Sequence, residues 1–214
     1  MAVLFYLIRN CFAFFSVRSD EETMKAAGEP EGRDKMELLD AMKKRRSVRS
    51  YSEERIPDDV LNTILEAGLY APTSQNRKPC EFYVVRDRET LQKLAAVKKA
   101  GAGMLAVCDT AVAVFADSEL ADTWIEDASV ALTYMHLMAA GLNVGSCWCQ
   151  LHLRADAEGA DAEEAARRIL SVPERFRIVG ILALGMPLKE TKPRTLSDRD
   201  CARIHNVEPA KPQE

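Results

Sequence analysis

Residues 110–149 read TAVAVFADSELADTWIEDASVALTYMHLMAAGLNVGSCWC, a pattern that predicts a strand, a long helix and a second strand. The continuous apolar run over residues 110–115 has the length of a strand buried on both faces at the centre of a sheet. From about residue 122 to 140, apolar residues step by three and four positions and form one helical stripe: Ile125, Ala128, Leu132, Met135, Ala139 and Leu142. Gly141 is a typical helix stop, and residues 144–149 are the predicted second strand.

The long helix also carries four small side chains: Ala128, Ala131, Ala139 and Ala140. Small residues let another helix approach closely, so we expect this helix to be buried centrally or to form a dimer contact. On both sides of this helix, the sequence alternates between helical and strand patterns. Further helices are predicted at residues 36–44, 57–68, 88–100 and 161–171, and further strands at 82–85 and 178–184.

Composition excludes several classes of protein. The chain has 214 residues, of which 47% are hydrophobic, with 29 Lys and Arg against 33 Asp and Glu. These values are typical of a soluble globular protein and argue against a disordered chain, a polytopic membrane protein and a dedicated nucleic-acid binder. The six cysteines show no disulfide-framework spacing, so we expect reduced thiols in a cytoplasmic protein.

The first 35 residues differ from the rest. Residues 1–17 are apolar and aromatic but are interrupted by Arg9, and residues 18–35 have the composition of a linker. We predict a poorly ordered extension at 1–35, or a start codon assigned too far upstream, ahead of a domain at 36–214. A membrane-surface anchor or a targeting peptide is the alternative, although the apolar run is short for stable membrane association.

A basic stretch follows the first predicted helix. Residues 43–51 read KKRRSVRSY, and residues 41–55 carry six cations against two acids. In an extended strand, Arg45, Ser47 and Arg49 would point to one side, where two guanidiniums and a hydroxyl suit a phosphate group. The alternatives are a solvated helix end and a nuclear-targeting patch.

Two further segments complete this pattern. The loop APTSQNRKP at 71–79 is dense in hydrogen-bonding groups, and residues 192–194 add a late basic pair after the last strand. Together with the basic stretch they suit a mononucleotide cofactor. The GxGxxA match at 101–106 follows a predicted helix rather than a strand, which argues against a dinucleotide site. Cys147, Cys149 and His152 lack a fourth ligand at metal-site spacing, so no metal is expected.

Taken in order, these pieces resemble the nitroreductase family of FMN-dependent oxidoreductases over about residues 36–206. The shared segments are RRSVRSY, APTSQNRKP, the helix WIEDASVALTYMHLMAAGL, GSCW, Pro173-Glu174, LGMP and KPR. The resemblance implies an α+β, three-layer fold in which helices flank a central mixed or antiparallel sheet. It also implies an intertwined homodimer with two active sites at the subunit interface.

By the same resemblance, each segment has an expected role toward FMN. The groups expected at the phosphate, the ribityl chain and the ring edge are Arg45, Arg46, Ser47 and Arg49. The late basic pair that also reaches the phosphate is Lys192 and Arg194. The loop residues that the partner subunit would lay beside the flavin are Pro72, Thr73, Ser74 and Asn76. The residues expected along the isoalloxazine ring are Gly145, Ser146 and Cys147.

The implied activity is ping-pong hydride transfer from NADH or NADPH to the flavin and on to a small oxidised acceptor, such as a nitroaromatic or a quinone. Arg46, and then Lys78, are the expected sources of positive charge near the flavin pyrimidine. Cys80 and Met186 stand where the family often has an aromatic residue, which bears on the substrate. The alternatives are a dehalogenase or substrate oxidase on the same scaffold, a flavin binder without turnover, and a non-enzymatic basic-patch protein.

Overall fold

One antiparallel sheet forms the centre of the part of the chain that the computed structural model describes, residues 38–207. Its strands are β1 (Cys80–Val85), β2 (Thr110–Asp117), β3 (Gly145–Gln150) and β4 (Phe176–Gly185). They lie in the order β1-β2-β4-β3, and every neighbouring pair is antiparallel. The apolar run of β2 is accordingly buried on both faces of the sheet.

The helices follow the predicted positions closely. They are α1 (Leu38–Lys44), α2 (Asp58–Leu69), α3 (Arg88–Ala96), α4 (Trp124–Gly141), α5 (Ala162–Ile169) and α6 (Asp198–Cys201). Short 3₁₀ turns occur at Ser74–Asn76 and Gly103–Ala106. The prediction for α3 was four residues too long, because the chain turns into bends after Ala96. The short α6, which begins with a Ser197 capping box, was not predicted.

Two apolar layers enclose the sheet. On one face, Ile64 of α2 and Leu132 and Met135 of α4 pack against Val112 and Leu182. On the other face, the apolar side chains of α3, α5 and the 103–106 turn pack against the opposite side of the strands. The result is a three-layer α+β arrangement around an antiparallel sheet, which confirms the predicted fold class.

The buried face of α4 contains the middle of the predicted stripe (Ala128, Leu132, Met135 and Ala139) but is broader than the stripe. Ile125 was expected inside but is 36% exposed, whereas Asp127 and His136 are buried. The reason lies in the first turn, where Trp124 takes the inner position and its ring packs against His152 and under the Arg177 guanidinium. Two polar side chains therefore enter a helix face that the apolar periodicity alone does not mark.

Some predictions fall elsewhere in the chain. The extension at residues 1–35, like the first two residues of the predicted 36–44 helix, lies outside the described residues. No helix within residues 38–207 combines the length and the apolar character that a membrane crossing requires.

Candidate functional site

Residues 45–52, here called the basic segment, run in extended form across the edge of the sheet after α1. Ser47 bridges Ser146 of β3 in parallel, and the Val48 amide donates to the Ser146 carbonyl at 2.9 Å. Farther along, the Ser52 amide donates to the Met186 carbonyl at 2.9 Å. These backbone bonds attach the segment to the ends of β3 and β4.

Two glycines allow the basic segment to lie this close to the sheet. Gly145 and Gly185 are partners in the β3–β4 ladder. A Cβ on Gly145 would stand 2.9 Å from Val48 Cγ1, and a Cβ on Gly185 would stand 2.7 Å from the Tyr51 ring. The Tyr51 hydroxyl donates to the Val48 carbonyl at 2.6 Å and closes the segment over the glycines.

The basic residues border one cavity of about 460 Å³, here called the anion cavity. It is lined by Arg45, Arg46, Ser47, Arg49 and Arg194. Four arginines and a serine therefore border the same space. The Arg194 amide donates to the Lys43 carbonyl at 2.8 Å, which brings the distant KPR segment to the end of α1. Within the described residues, the one carboxylate paired with this cluster is Asp200, 3.3 Å from Arg194. The cluster keeps an excess of positive charge that suits an anion.

Lys192 contributes differently from Arg194. Its carbonyl accepts a hydrogen bond from Arg46 Nη1 at 3.5 Å, while its side chain is not among those that line the cavity. Beside the anion cavity lies a second one of about 470 Å³, bounded by Arg45, Arg46, β3 and the Met186-Pro187 turn. The two cavities share both arginines, so a molecule with an anionic group and a larger body could occupy the pair.

His136 lies behind Arg45 and was not predicted as a site residue. It is 7% exposed; its Nδ1 is 2.6 Å from Ser146 Oγ and its Nε2 is 3.1 Å from Arg45 Nη1. Burial first, and then the Arg45 charge, lower the pKa of His136 to about 4. The imidazole is therefore neutral at neutral pH. Because the two partners lie 91 and 10 residues away in the chain, no local motif marks this histidine.

Ser146 and Cys147 point to opposite faces of β3. Ser146 is buried against His136, and Cys147 is buried in the apolar layer on the other side. Burial raises the pKa of the Cys147 thiol, and it raises that of Cys108 to about 12, so both thiols are protonated at neutral pH. Protonated thiols are poor nucleophiles, which argues against covalent chemistry at these cysteines.

The 72–78 loop is docked at the other end of α4. The Ser74 amide donates to Asp127 Oδ1 at 3.0 Å, and Thr123 Oγ1 donates to Asp127 Oδ2 at 3.2 Å. Thr73 Oγ1 accepts from the Lys78 amide at 3.0 Å. Left-handed backbone occurs at three non-glycine residues of this loop: Gln75, Asn76 and Lys78, with φ between 51° and 55°. Such strain is typical of functional loops held by their surroundings.

Within a single subunit, the 72–78 loop and the basic segment do not lie next to each other. Asp127 and His136 are nine residues apart on α4, so their anchoring points are separated by about 14 Å along the helix axis. Pro72 and Asn76 are exposed on the loop. The predicted loop residues and the predicted phosphate residues thus lie in two separate groups, toward opposite ends of one helix.

The Cys147, Cys149 and His152 group and the GxGxxA match at 101–106 both have structural explanations. His152 Nδ1 is 2.7 Å from Glu163 Oε1, away from any cysteine partner, and residues 38–207 contain no group of three His, Cys, Asp or Glu side chains suited to a metal ion. Gly101 ends a run of bends and Gly103 begins a 3₁₀ turn, in which Met104 and Leu105 are buried in the core.

The chain is similar to several known proteins of one family. The Nitroreductase family model matches residues 42–107 and 98–186. A relative from Methanothermobacter thermautotrophicus, provisionally named NADH dehydrogenase/NAD(P)H nitroreductase, is 34% identical over 80% of this chain and 87% of its own. An FMN-dependent nitroreductase from Clostridium difficile R20291 has a TM-score of 0.76 and 36% identity over 79% of this chain and 99% of its own.

A third comparison concerns a nitroreductase from Bacteroides fragilis whose crystal structure contains bound FMN. It has a TM-score of 0.65 and is 30% identical over 81% of this chain and 100% of its own. The family model covers more than half of the chain, and the matched segments include the basic segment, the 72–78 loop, α4 and β3. The resemblance seen in the sequence is therefore confirmed, and the chain belongs to the nitroreductase family.

Proposed function

We propose that this protein is an FMN-dependent NAD(P)H oxidoreductase. The observation that carries the proposal is the anion cavity, which Arg45, Arg49 and Arg194 border. Within the described residues, the one carboxylate that pairs with these arginines is that of Asp200, next to Arg194. Arginine side chains around one cavity repel one another, and a phosphate would offset that repulsion while it accepts charge-assisted hydrogen bonds. The relatives named for FMN and NAD(P)H support the same reading.

The residues of this chain would mainly bind and orient. FMN, when bound, supplies the hydride chemistry of the reaction. The basic segment would hold its phosphate, and Arg46, which lines both cavities, would place positive charge beside the larger body of the cofactor. NADH or NADPH and a small oxidised acceptor, such as a nitroaromatic or a quinone, would occupy the same cavity in turn, which gives ping-pong kinetics.

We further propose that the working unit is a homodimer with shared sites. Large apolar side chains are exposed on α1, on α4 and at the end of α2: Leu38, Leu39, Met42, Leu69, Tyr70, Tyr134 and Met138. A symmetric partner that pairs its α4 antiparallel to this one would bury this surface. The same pairing would bring the 72–78 loop of one subunit to the basic segment of the other, so that each site would be built from both subunits.

The colour of the purified protein tests the cofactor. We expect a yellow protein that releases FMN on heating, because the anion cavity should retain the cofactor through purification. Anaerobic NADH or NADPH should bleach the flavin absorbance, and a panel of nitroaromatics and quinones should restore it at different rates. Colourless protein that cannot be reconstituted with FMN would contradict the proposal. Yellow protein that neither nucleotide bleaches would point to a flavin binder without turnover.

Mixing two inactive variants tests the shared site. Arg45→Ala damages the basic segment and Asn76→Ala damages the loop, and each homodimer should retain little flavin. When equal amounts are refolded together, half of the dimers are heterodimers. In each heterodimer one site carries both defects and the other carries none, so a quarter of all sites are intact and about a quarter of the wild-type flavin should return. Flavin content after gel filtration measures the result. No recovery in a mixture shown by mass to contain heterodimers would place both segments in one subunit's site.

A further inference from the structure

A buried hydrogen-bond chain connects α4 to the anion cavity. It runs from Arg45 Nη1 to His136 Nε2 at 3.1 Å, and from His136 Nδ1 to Ser146 Oγ at 2.6 Å. A guanidinium can only donate, so Nε2 of the neutral ring must accept and the ring proton must lie on Nδ1, from which it is donated to Ser146. The two partners, Arg45 and Ser146, thus specify both the tautomer and the orientation of the imidazole.

This chain also restrains Arg45. Its guanidinium lines both cavities, while one of its nitrogens is held from behind by the imidazole of a central helix. A long arginine side chain otherwise loses considerable rotamer entropy when it binds an anion. A partner that holds the guanidinium in place before binding removes part of that cost.

We propose that His136 is a positioning residue for the anion site, which fixes the direction of the Arg45 guanidinium through a neutral imidazole oriented by Ser146. The inference rests on the proposed function, since it assumes that the anion is the FMN phosphate. It goes beyond that function because it assigns to α4 a part in cofactor affinity. Charged side chains of both cavities surround Arg45: Arg46, Arg49 and Arg194 line the anion cavity, and Lys44, Glu54 and Glu190 line the second one.

Three substitutions at position 136 separate the two hydrogen bonds. His136→Gln can place an acceptor near the Nε2 position and keep the bond from Arg45. His136→Asn reaches only the Nδ1 position and keeps the contact with Ser146. His136→Leu removes both bonds. We expect FMN dissociation constants near the wild-type value for the Gln variant and about tenfold weaker for the Asn and Leu variants, an effect typical of one lost bond to a charged group. His205→Gln, at an exposed histidine, is the matched control.

A double-mutant cycle distinguishes positioning from general damage. If His136 acts through Arg45, His136→Asn should have no further effect on FMN affinity once Arg45 is alanine. NMR of the ring nitrogens gives a readout without the cofactor, since it should show the Nδ1–H tautomer, and Arg45→Ala should raise the pKa of His136 because the Arg45 charge lowers it.

The outcomes are distinguishable. Equal FMN affinity for the wild type and the Asn and Leu variants, or a full tenfold effect in the Arg45→Ala background, would overturn the positioning role while the proposed function stands. Wild-type protein that does not bind FMN would overturn the proposed function, and the NMR tautomer would then test the hydrogen-bond chain alone. Thermal unfolding of each variant establishes that the compared proteins are folded.

Discussion

Arg45→Ala should weaken FMN binding by about 100-fold while the protein stays folded. Arg45 lines both cavities, and each hydrogen bond to a charged group contributes about 1.5–3 kcal/mol, so the loss of one such bond accounts for the effect. In the protein without FMN, loss of Arg45 also relieves repulsion from Arg46, Arg49 and Arg194. This relief offsets part of the stability that the substitution removes. Fluorescence titration with FMN and thermal unfolding measure the two quantities.

Arg55→Ala is the matched control for this loss of one positive charge. Arg55 follows the basic segment closely in sequence, but its exposed side chain lies 3.8 Å from Asp58 and lines neither cavity. Its removal should change FMN affinity less than twofold, since screening weakens charges that are distant and exposed. Similar losses for Arg45→Ala and Arg55→Ala would show that total charge, rather than the cavity geometry, governs binding.

Gly185→Ala should both destabilise the protein and reduce its flavin content. The added Cβ would stand 2.7 Å from two atoms of the Tyr51 ring, which packs over the end of β4. Tyr51 then has to move, and with it the bond from its hydroxyl to the Val48 carbonyl. Overpacking of this kind costs about 1–3 kcal/mol of unfolding free energy. Because Val48 lies between Ser47 and Arg49, the anion cavity should lose its shape as well.

Gly103→Ala provides the steric control, since no heavy atom lies within 4 Å of the Cβ that it would add. We expect this variant to be as stable as the wild type or slightly more stable, because alanine restricts the unfolded chain. Chemical denaturation and the FMN content of the purified proteins provide the comparison. If Gly185→Ala matched Gly103→Ala in both measurements, the contact between Tyr51 and β4 would have no part in shaping the site.

The main elements were predictable because their signals are local. The apolar run of β2 and the three-four spacing of α4 report burial directly, and the bounds of both elements agree with the prediction within two residues. The basic segment was recognisable because its charges are consecutive in the chain. The exposure of Ile125 was not predictable, since it depends on where Trp124 packs against residues of other elements.

Sequence alone was sufficient for the order of the main helices and strands, and the resemblance was sufficient for the α+β class and the family, but it left open whether the sheet is mixed or antiparallel. The sequence did not indicate the hydrogen bonds that His136 and Asp127 of α4 make. Arg45 and His136 are 91 residues apart in the chain, and Ser74 and Asp127 are 53 residues apart. Hydrogen-bond partners at such separations meet only after the sheet and helices have packed. For the same reason, only the folded chain shows that the loop and the basic segment lie at opposite ends of one helix.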